Sequence, residues 1–180
     1  GMFVGSRGVS AVVVTGAGWG RGGATGGVFG SAGAEVLSND VVGDVAVQTA
    51  GEVSGETAVF CGDLTKTGAA DEMVAAAIDA FGAVDIVVNN AGYTWDGVAH
   101  KMTDEQFQAM LEIHTVVPFR VARALAPSWR EAAKAERAEG TEVFRKLINF
   151  SSTSGTMGNA DQVNYSAAKI GVTVVAKPIA

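Results

Sequence analysis

Along the chain, short runs of uninterrupted apolar residues alternate with stretches in which apolar positions recur every three or four residues. Val12-Val13-Val14, Val36-Leu37, Ala58-Val59-Phe60, Val84-Asp85-Ile86-Val87-Val88 and Leu147-Ile148-Asn149-Phe150 are of the first kind. A strand with one wet face alternates apolar and polar side chains. These runs do not, which predicts parallel strands covered on both faces. Thr67 to Phe81 is of the second kind, with Met73, Val74, Ala77, Ile78 and Phe81 at helical spacing. Thr103-Asp104-Glu105-Gln106 has the form of an N-cap and first turn ahead of Phe107, Met110 and Leu111. The helical pattern then runs to about Arg137, with Pro118 predicted to break or kink it. The charged stretch "REAAKAERAEGTEVFRK" reads as a solvated helix end. Strand–helix alternation predicts βαβ units and an α/β fold, a doubly wound parallel sheet flanked by helices on both faces.

The chain has 180 residues and no internal repeat or linker, so a single domain spanning 1–180 is expected. Its hydrophobic fraction of 48% excludes wholesale disorder. A net charge of −6 argues against nucleic acid and anionic membranes as partners, because phosphate contacts need a basic face. No apolar run is long enough to span a bilayer, and the N-terminus lacks a secretory pattern. The single cysteine, Cys61, cannot form an internal disulfide; it fits a reducing cytoplasm and reads as a small buried apolar residue. Gly1-Met2 reads as a scar of tag removal. No metal site is assigned.

Of the 24 glycines, many crowd between Gly16 and Gly33. "TGAGWGRG", Thr15 to Gly22, follows the first strand and opens into a helix. Gly16, Gly18, Gly20 and Gly22 suit a tight strand-to-helix turn and let a pyrophosphate approach the backbone at the positive helix N-terminus. The second strand ends at Asn39-Asp40, about 20 residues on, where a carboxylate can accept from both adenosine ribose hydroxyls and repels a 2′-phosphate. Trp19 puts no cation just before Gly20, so NAD(H) is favoured over NADP(H), with Arg21 a cation close by. Asp63 and Leu64 follow the third strand, and "NNAG" follows the fourth. Asp63 suits an adenine edge; Asn90, Ala91 and Gly92 suit close passage of the cofactor. All lie at carboxyl ends of strands and converge on one crevice of a Rossmann-type sheet.

"NFSSTSGTMGNADQVNYSAAK" supplies Ser152, Tyr165 and Lys169. Tyrosine and lysine four apart on a helix share a face. A free phenol has a pKa near 10, and a neighbouring ammonium lowers it, by about 1.4 kcal/mol of differential interaction per unit. Such a tyrosine passes a proton to or from a substrate oxygen while a nicotinamide exchanges hydride. Ser152 is placed to hydrogen-bond that oxygen.

In order along the chain, "TGAGWGRG", "NNAG", Ser152 and "YSAAK" resemble the short-chain dehydrogenase/reductase family, over about Ala11 to Lys169. "NNAGYTWDG", "KMTDEQF" and "SSTSGTMGNADQVNYSAAK" look most like its 3-oxoacyl acyl-carrier-protein reductases. The resemblance implies Ser152, Tyr165 and Lys169 as catalytic residues, with Tyr165 and Lys169 also at the cofactor and Lys169 on the nicotinamide ribose. It implies a carbonyl or secondary-alcohol substrate, an acyl thioester among the candidates. It also implies a homotetramer or homodimer built partly on the long fourth and fifth helices.

The chain departs from the family in four places. His114 stands where the family has an asparagine that relays protons to the lysine; it reads either as a relay titrating near neutral pH or as a helix-packing residue. Arg21 replaces a small aliphatic side chain beneath the phosphate turn; buried, it would need a partner, and otherwise it reaches pyrophosphate or solvent. In "GGATGGVFGSAG" each interior glycine costs about 1 kcal/mol against alanine, so that helix depends on packing and cofactor. Finally, no sixth strand, substrate loop or seventh strand fits between Ile170 and Ala180, which leaves an exposed sheet edge and reads as a partial version of a longer enzyme in preference to a degraded copy. Two other functions compete: a nucleotide-binding protein without turnover, and a structural subunit that pairs with an active relative.

Overall fold

The computed structural model describes residues 8–141 and 144–175. Gly1-Met2, two residues of the charged stretch (Glu142 and Val143) and residues 176–180, on which part of the expectation about the C-terminal strands falls, lie outside the described residues. Among the described residues five strands alternate with helices: β1 (Ala11–Thr15), α1 (Gly20–Ser31), β2 (Glu35–Asp40), α2 (Gly43–Glu52), β3 (Thr57–Cys61), α3 (Ala69–Phe81) and β4 (Ile86–Asn89). Then come α4 (Asp104–Leu111), α5 (Val117–Glu139), β5 (Lys146–Asn149), α6 (Thr153–Met157) and α7 (Val163–Val175). All the pairings are parallel, in the order β3-β2-β1-β4-β5. The chain therefore walks outward from β1 to β3, crosses back, and walks outward again through β4. The direction reverses between β1 and β4, and open sheets of this kind hold ligands beyond the strand ends at that point.

Successive strand residues face opposite layers. Val13, Leu37 and Val87 pack with Met73, Met110, Val121 and Leu125 of α3, α4 and α5. Val12, Val14, Val36 and Val88 pack with Ala17, Ala34 and Val53 on the side of α1 and α2. Two-sided cover holds for β1, β2 and β4, whereas the edge strands β3 and β5 are only partly buried. Ile148 on β5 is 37% exposed. Buried glycines make the cover on the second face close: a side chain at Gly30 would overlap Val53 and the Ser54 carbonyl. The glycines that weaken α1 as an isolated helix are what let it seat.

Several expectations are corrected. Cys61 is exposed, because it closes β3, an edge strand whose outer flank pairs with no other strand among the described residues. Val84-Asp85 precede β4, and the Asp85 carboxylate accepts the Ala11 N–H at 2.9 Å, closing the entry to the sheet. The helix α2 has no counterpart in the sequence reading; only Ala46 and Ala50 are buried, too narrow a stripe to set a period. The helical break lies one turn ahead of Pro118, as a wide π turn over Glu112–Val116. Pro118 then occupies the first turn of α5, where a missing N–H costs nothing, and Pro127 is accommodated inside the same helix. The charged end of α5 is not wholly solvated: Glu136 is buried and pairs with Arg145 through two bonds of 2.5 and 3.0 Å, tying α5 to the start of β5. The Arg145 hydrogen bonds hold the Glu136 carboxyl below the usual range.

Candidate active site

The turn after β1 is fixed by the loop after β4. Gly16 has φ +62°, and a Cβ there would stand 2.7 Å from the Ala91 Cα. The Asn90 amide donates to the Thr15 and Gly16 carbonyls at 3.1 and 3.0 Å. The Thr15 hydroxyl accepts the N–H groups of Asn90 and Ala91 at 3.1 and 3.0 Å. A side chain at Gly22 would overlap the Gly16 carbonyl, so the helix start is pressed onto the turn. The two glycine motifs are thus one clamped unit across the switch point.

Asp40, at the end of β2, is 8% exposed. Its carboxylate accepts the Gly18 N–H at 3.0 Å and the Val42 N–H at 3.1 Å, which leaves further lone pairs on both oxygens. Asp63 accepts from the Thr65 hydroxyl at 2.7 Å and the Thr65 N–H at 3.0 Å; these bonds hold its carboxyl below the usual range. A cavity of about 710 Å³ runs along the strand ends. Gly16, Arg21, Gly22, Asp40, Asp63, Leu64, Asn90, Ala91 and Gly92 all line it, as does Tyr93. Gly18 and Gly20 instead line the adjoining groove between α1 and α2.

The residues present fit an anionic dinucleotide. The N-terminus of α1 has no side-chain cap and no acid in its first turn, so its positive end is left for a phosphate. Asp40 offers acceptors at the far end for hydroxyls. The volume suits a small-molecule site.

Ser152, Tyr165 and Lys169 do not line that cavity; they stand beside it. Ser152 caps α6, its hydroxyl accepting the Ser154 N–H at 3.2 Å. Lys169 is 7% exposed and donates to the Phe150 carbonyl at 2.7 Å. Its ammonium is 5.7 Å from the Tyr165 ring centre. Burial, then the charge of Arg21, push Lys169 down to about 8. The Ser151 hydroxyl donates to the Lys169 carbonyl at 2.7 Å, fastening α7 to the segment after β5. Arg21 is exposed, and its guanidinium lies 5.0 Å from the Phe150 ring centre, linking the cavity wall to the Lys169 side.

His114 is corrected as a neutral-pH titrating relay. It is 4% exposed, and burial, followed by the Lys169 charge, pushes it down to about 4. The imidazole is therefore neutral at pH 7. Its Nε2 lies 2.7 Å from the Tyr93 carbonyl, an acceptor only, so Nε2 carries the proton and donates. Its edge meets the Tyr165 ring at 5.0 Å and 85°. A side chain at Gly92 would overlap this imidazole, which gives that glycine a packing reason beyond room for a cofactor.

Sequence reasoning missed Asn164, which is fully buried. Its amide donates to the Trp95 and Gln106 carbonyls at 2.9 and 3.1 Å, and its oxygen accepts the Tyr165 N–H at 2.8 Å. It fixes the first turn of α7, and hence the Tyr165 backbone, to α4 and the loop before it. Its only sequence signal is adjacency to Tyr165.

The chain belongs to the short chain dehydrogenase family, whose model matches residues 10–180. It is 39% identical over 171 residues to hydroxyacyl-CoA dehydrogenase ChsB1 of Mycobacterium tuberculosis, covering 91% of this chain and 53% of that protein. It is 37% identical over 168 residues to the peroxisomal hydratase-dehydrogenase-epimerase of Neurospora crassa, covering 93% of this chain and 17% of that one. Among solved structures, a short chain dehydrogenase from Mycobacterium avium superposes with a TM-score of 0.85 at 34% identity, over 92% of this chain and 60% of that chain. A metagenomic short-chain oxidoreductase in complex with NADP gives 0.81 at 29% identity, over 94% and 74%. The chain thus spans about half the length of the first of these curated relatives and less of the second. Among the described residues, no helix is long and apolar enough to cross a membrane, and no group of three or more His, Cys, Asp or Glu is placed to hold a metal.

Proposed function

We propose that the chain carries the dinucleotide site and the catalytic residues of an NAD(H)-linked dehydrogenase that interconverts a hydroxyacyl and an oxoacyl thioester. The observation that carries the reading is the Tyr165–Lys169 pair, held beside the cavity through Phe150 and His114. At pH 7 Lys169, at about 8, is charged, and its ammonium stands 5.7 Å from the Tyr165 ring centre. Tyr165 passes the proton to or from the substrate oxygen. The Ser152 hydroxyl accepts from Ser154, so its own proton is left to donate to that oxygen. His114, neutral, braces the Tyr165 ring. The residues lining the cavity would hold a nicotinamide dinucleotide, which would supply or accept the hydride.

Asp40 supports NAD(H) over NADP(H), since a buried carboxylate at the β2 end repels a 2′-phosphate. Arg21 leans to the Phe150 side, away from Asp40, and does not offset it. The name of the Mycobacterium tuberculosis relative, a hydroxyacyl-CoA dehydrogenase, supports coenzyme A as the thioester carrier, in place of the acyl carrier protein suggested by the sequence. The long helix α5 supports a homodimer or homotetramer: it carries a hollow of about 530 Å³ lined by the apolar Phe119, Ala122, Ala126 and Trp129 together with Arg123, Arg130 and Arg145. A reducing compartment such as the cytoplasm suits the exposed thiol of Cys61.

The test is a substrate panel with the purified protein: NADH or NADPH, each with acetoacetyl-CoA, the same acyl group on acyl carrier protein, and simple ketones. The reading expects NADH consumption with the CoA thioester. Turnover of simple ketones alone, or with NADPH alone, overturns it.

A further inference from the structure

Arg21 stands in the first turn of α1 on the cavity wall, with its guanidinium over one face of the Phe150 ring. The carbonyl of the same Phe150 accepts the Lys169 ammonium. Two cations therefore gather on one residue at the β5 side of the cavity. Among the described residues no carboxylate pairs with Arg21. The cavity's own acids are engaged elsewhere, Asp40 with the Gly18 and Val42 N–H groups and Asp63 with Thr65 and Lys66.

Proton and hydride go to adjacent atoms of one carbonyl. The redox ring of a bound dinucleotide must then lie next to Tyr165, at the end where Lys169 and Arg21 meet. The two redox forms differ there by a full charge: the oxidised ring is cationic and the reduced ring is neutral. A fixed cation disfavours the first and leaves the second unaffected. We propose that Arg21 makes this site discriminate between the redox forms of its dinucleotide, holding the neutral reduced nicotinamide more tightly than the cationic oxidised one. The inference rests on the dinucleotide reading above. The influence of Arg21 already extends to this end, because its charge is the second cause, after burial, of the lowered Lys169 pKa. Arg21 is exposed, so water screens it; a nucleotide laid over it displaces that water and strengthens its field. Lys169 contributes in the same direction, which is why the test changes Arg21 alone.

The experiment is isothermal titration of the wild type, Arg21→Leu and Arg21→Lys with NADH, NAD+ and ADP-ribose. In the wild type NADH binds more tightly than NAD+. In Arg21→Leu the ratio of the NAD+ to the NADH dissociation constant falls by about threefold or more, about 0.7 kcal/mol at 1.4 kcal/mol per tenfold. Arg21→Lys keeps the ratio. ADP-ribose has no nicotinamide and reports any phosphate contact that Arg21 makes. If all three ligands weaken together in Arg21→Leu and the ratio stays fixed, Arg21 is a plain anion contact and the proposal is overturned. If the wild type binds none of the three, the dinucleotide reading fails first and takes the inference with it.

Discussion

Burying His114 makes the fold acid-sensitive in a defined window. The imidazole moves from its ordinary 6.5 down to about 4 on folding, so between these values the unfolded chain binds a proton that the folded chain refuses. Stability is therefore flat above about pH 7, falls as pH drops through 6.5, and levels off below about 4. At about 1.4 kcal/mol per unit, the full effect is about 3 kcal/mol, of which about 2 kcal/mol is lost between pH 7 and pH 5. The perturbation is His114→Asn, which keeps a polar side chain and removes the titration. Urea unfolding followed by the fluorescence of the three tryptophans is measured for both proteins at half-unit steps from pH 7.5 to 4.5. Carboxylates such as Asp63 and Glu136 add slope at the acid end in both proteins, and the difference between the two curves isolates His114. The variant is expected to be less stable at pH 7, having lost the Tyr93 hydrogen bond, but to lose about 2 kcal/mol less on going to pH 5. Parallel curves, or an imidazole NMR signal that titrates near 6.5 in a His100→Gln background, would refute the reasoning.

The remaining predictions concern the parts around Tyr165. Asn164→Ala leaves the Trp95 and Gln106 carbonyls and the Tyr165 N–H without their partner, and should cost about 3 kcal/mol in urea unfolding, whereas a loss below 1 kcal/mol would remove its positioning role. Gly92→Ala should unfold at lower temperature because its methyl overlaps the imidazole; His114→Ala in the same chain should restore part of the loss, and strictly additive effects would refute the contact. Lys169 loses its charge as pH rises through about 8, so kcat/KM for NADH-linked reduction should fall above that value. In Arg21→Leu the fall should move to higher pH, because a cation that depresses Lys169 has gone; an unmoved limb would separate the two residues.

The parts of the site that depend on backbone geometry were the most legible in the sequence. Glycines at fixed spacing after an apolar run mark a turn that side chains would block, and the structure shows that blockage at Gly16 and Gly22. The Thr103–Gln106 start of α4 was equally readable, since a capping box is local; both of its bonds are present. Charge states were not readable. His114 had a neutral-pH relay as one of its sequence readings, and only its surroundings, a buried pocket beside the Lys169 ammonium, hold it neutral. Asn164 was silent for a related reason: its partners are carbonyls 58 and 69 residues away, and no spacing rule connects them. Cys61 and β5 misled because an apolar run looks the same at a sheet's centre and at its edge; strand order decides which is covered.

The central claim is that Tyr165 moves the proton in a dinucleotide-linked hydride transfer. The measurement that meets it most directly pairs NADH titration with NADH oxidation by acetoacetyl-CoA, on one preparation each of the wild type and Tyr165→Phe. The account predicts that the variant binds NADH within about twofold of the wild type while its turnover drops by roughly 100-fold or more. Turnover within a few-fold of the wild type in Tyr165→Phe would contradict it.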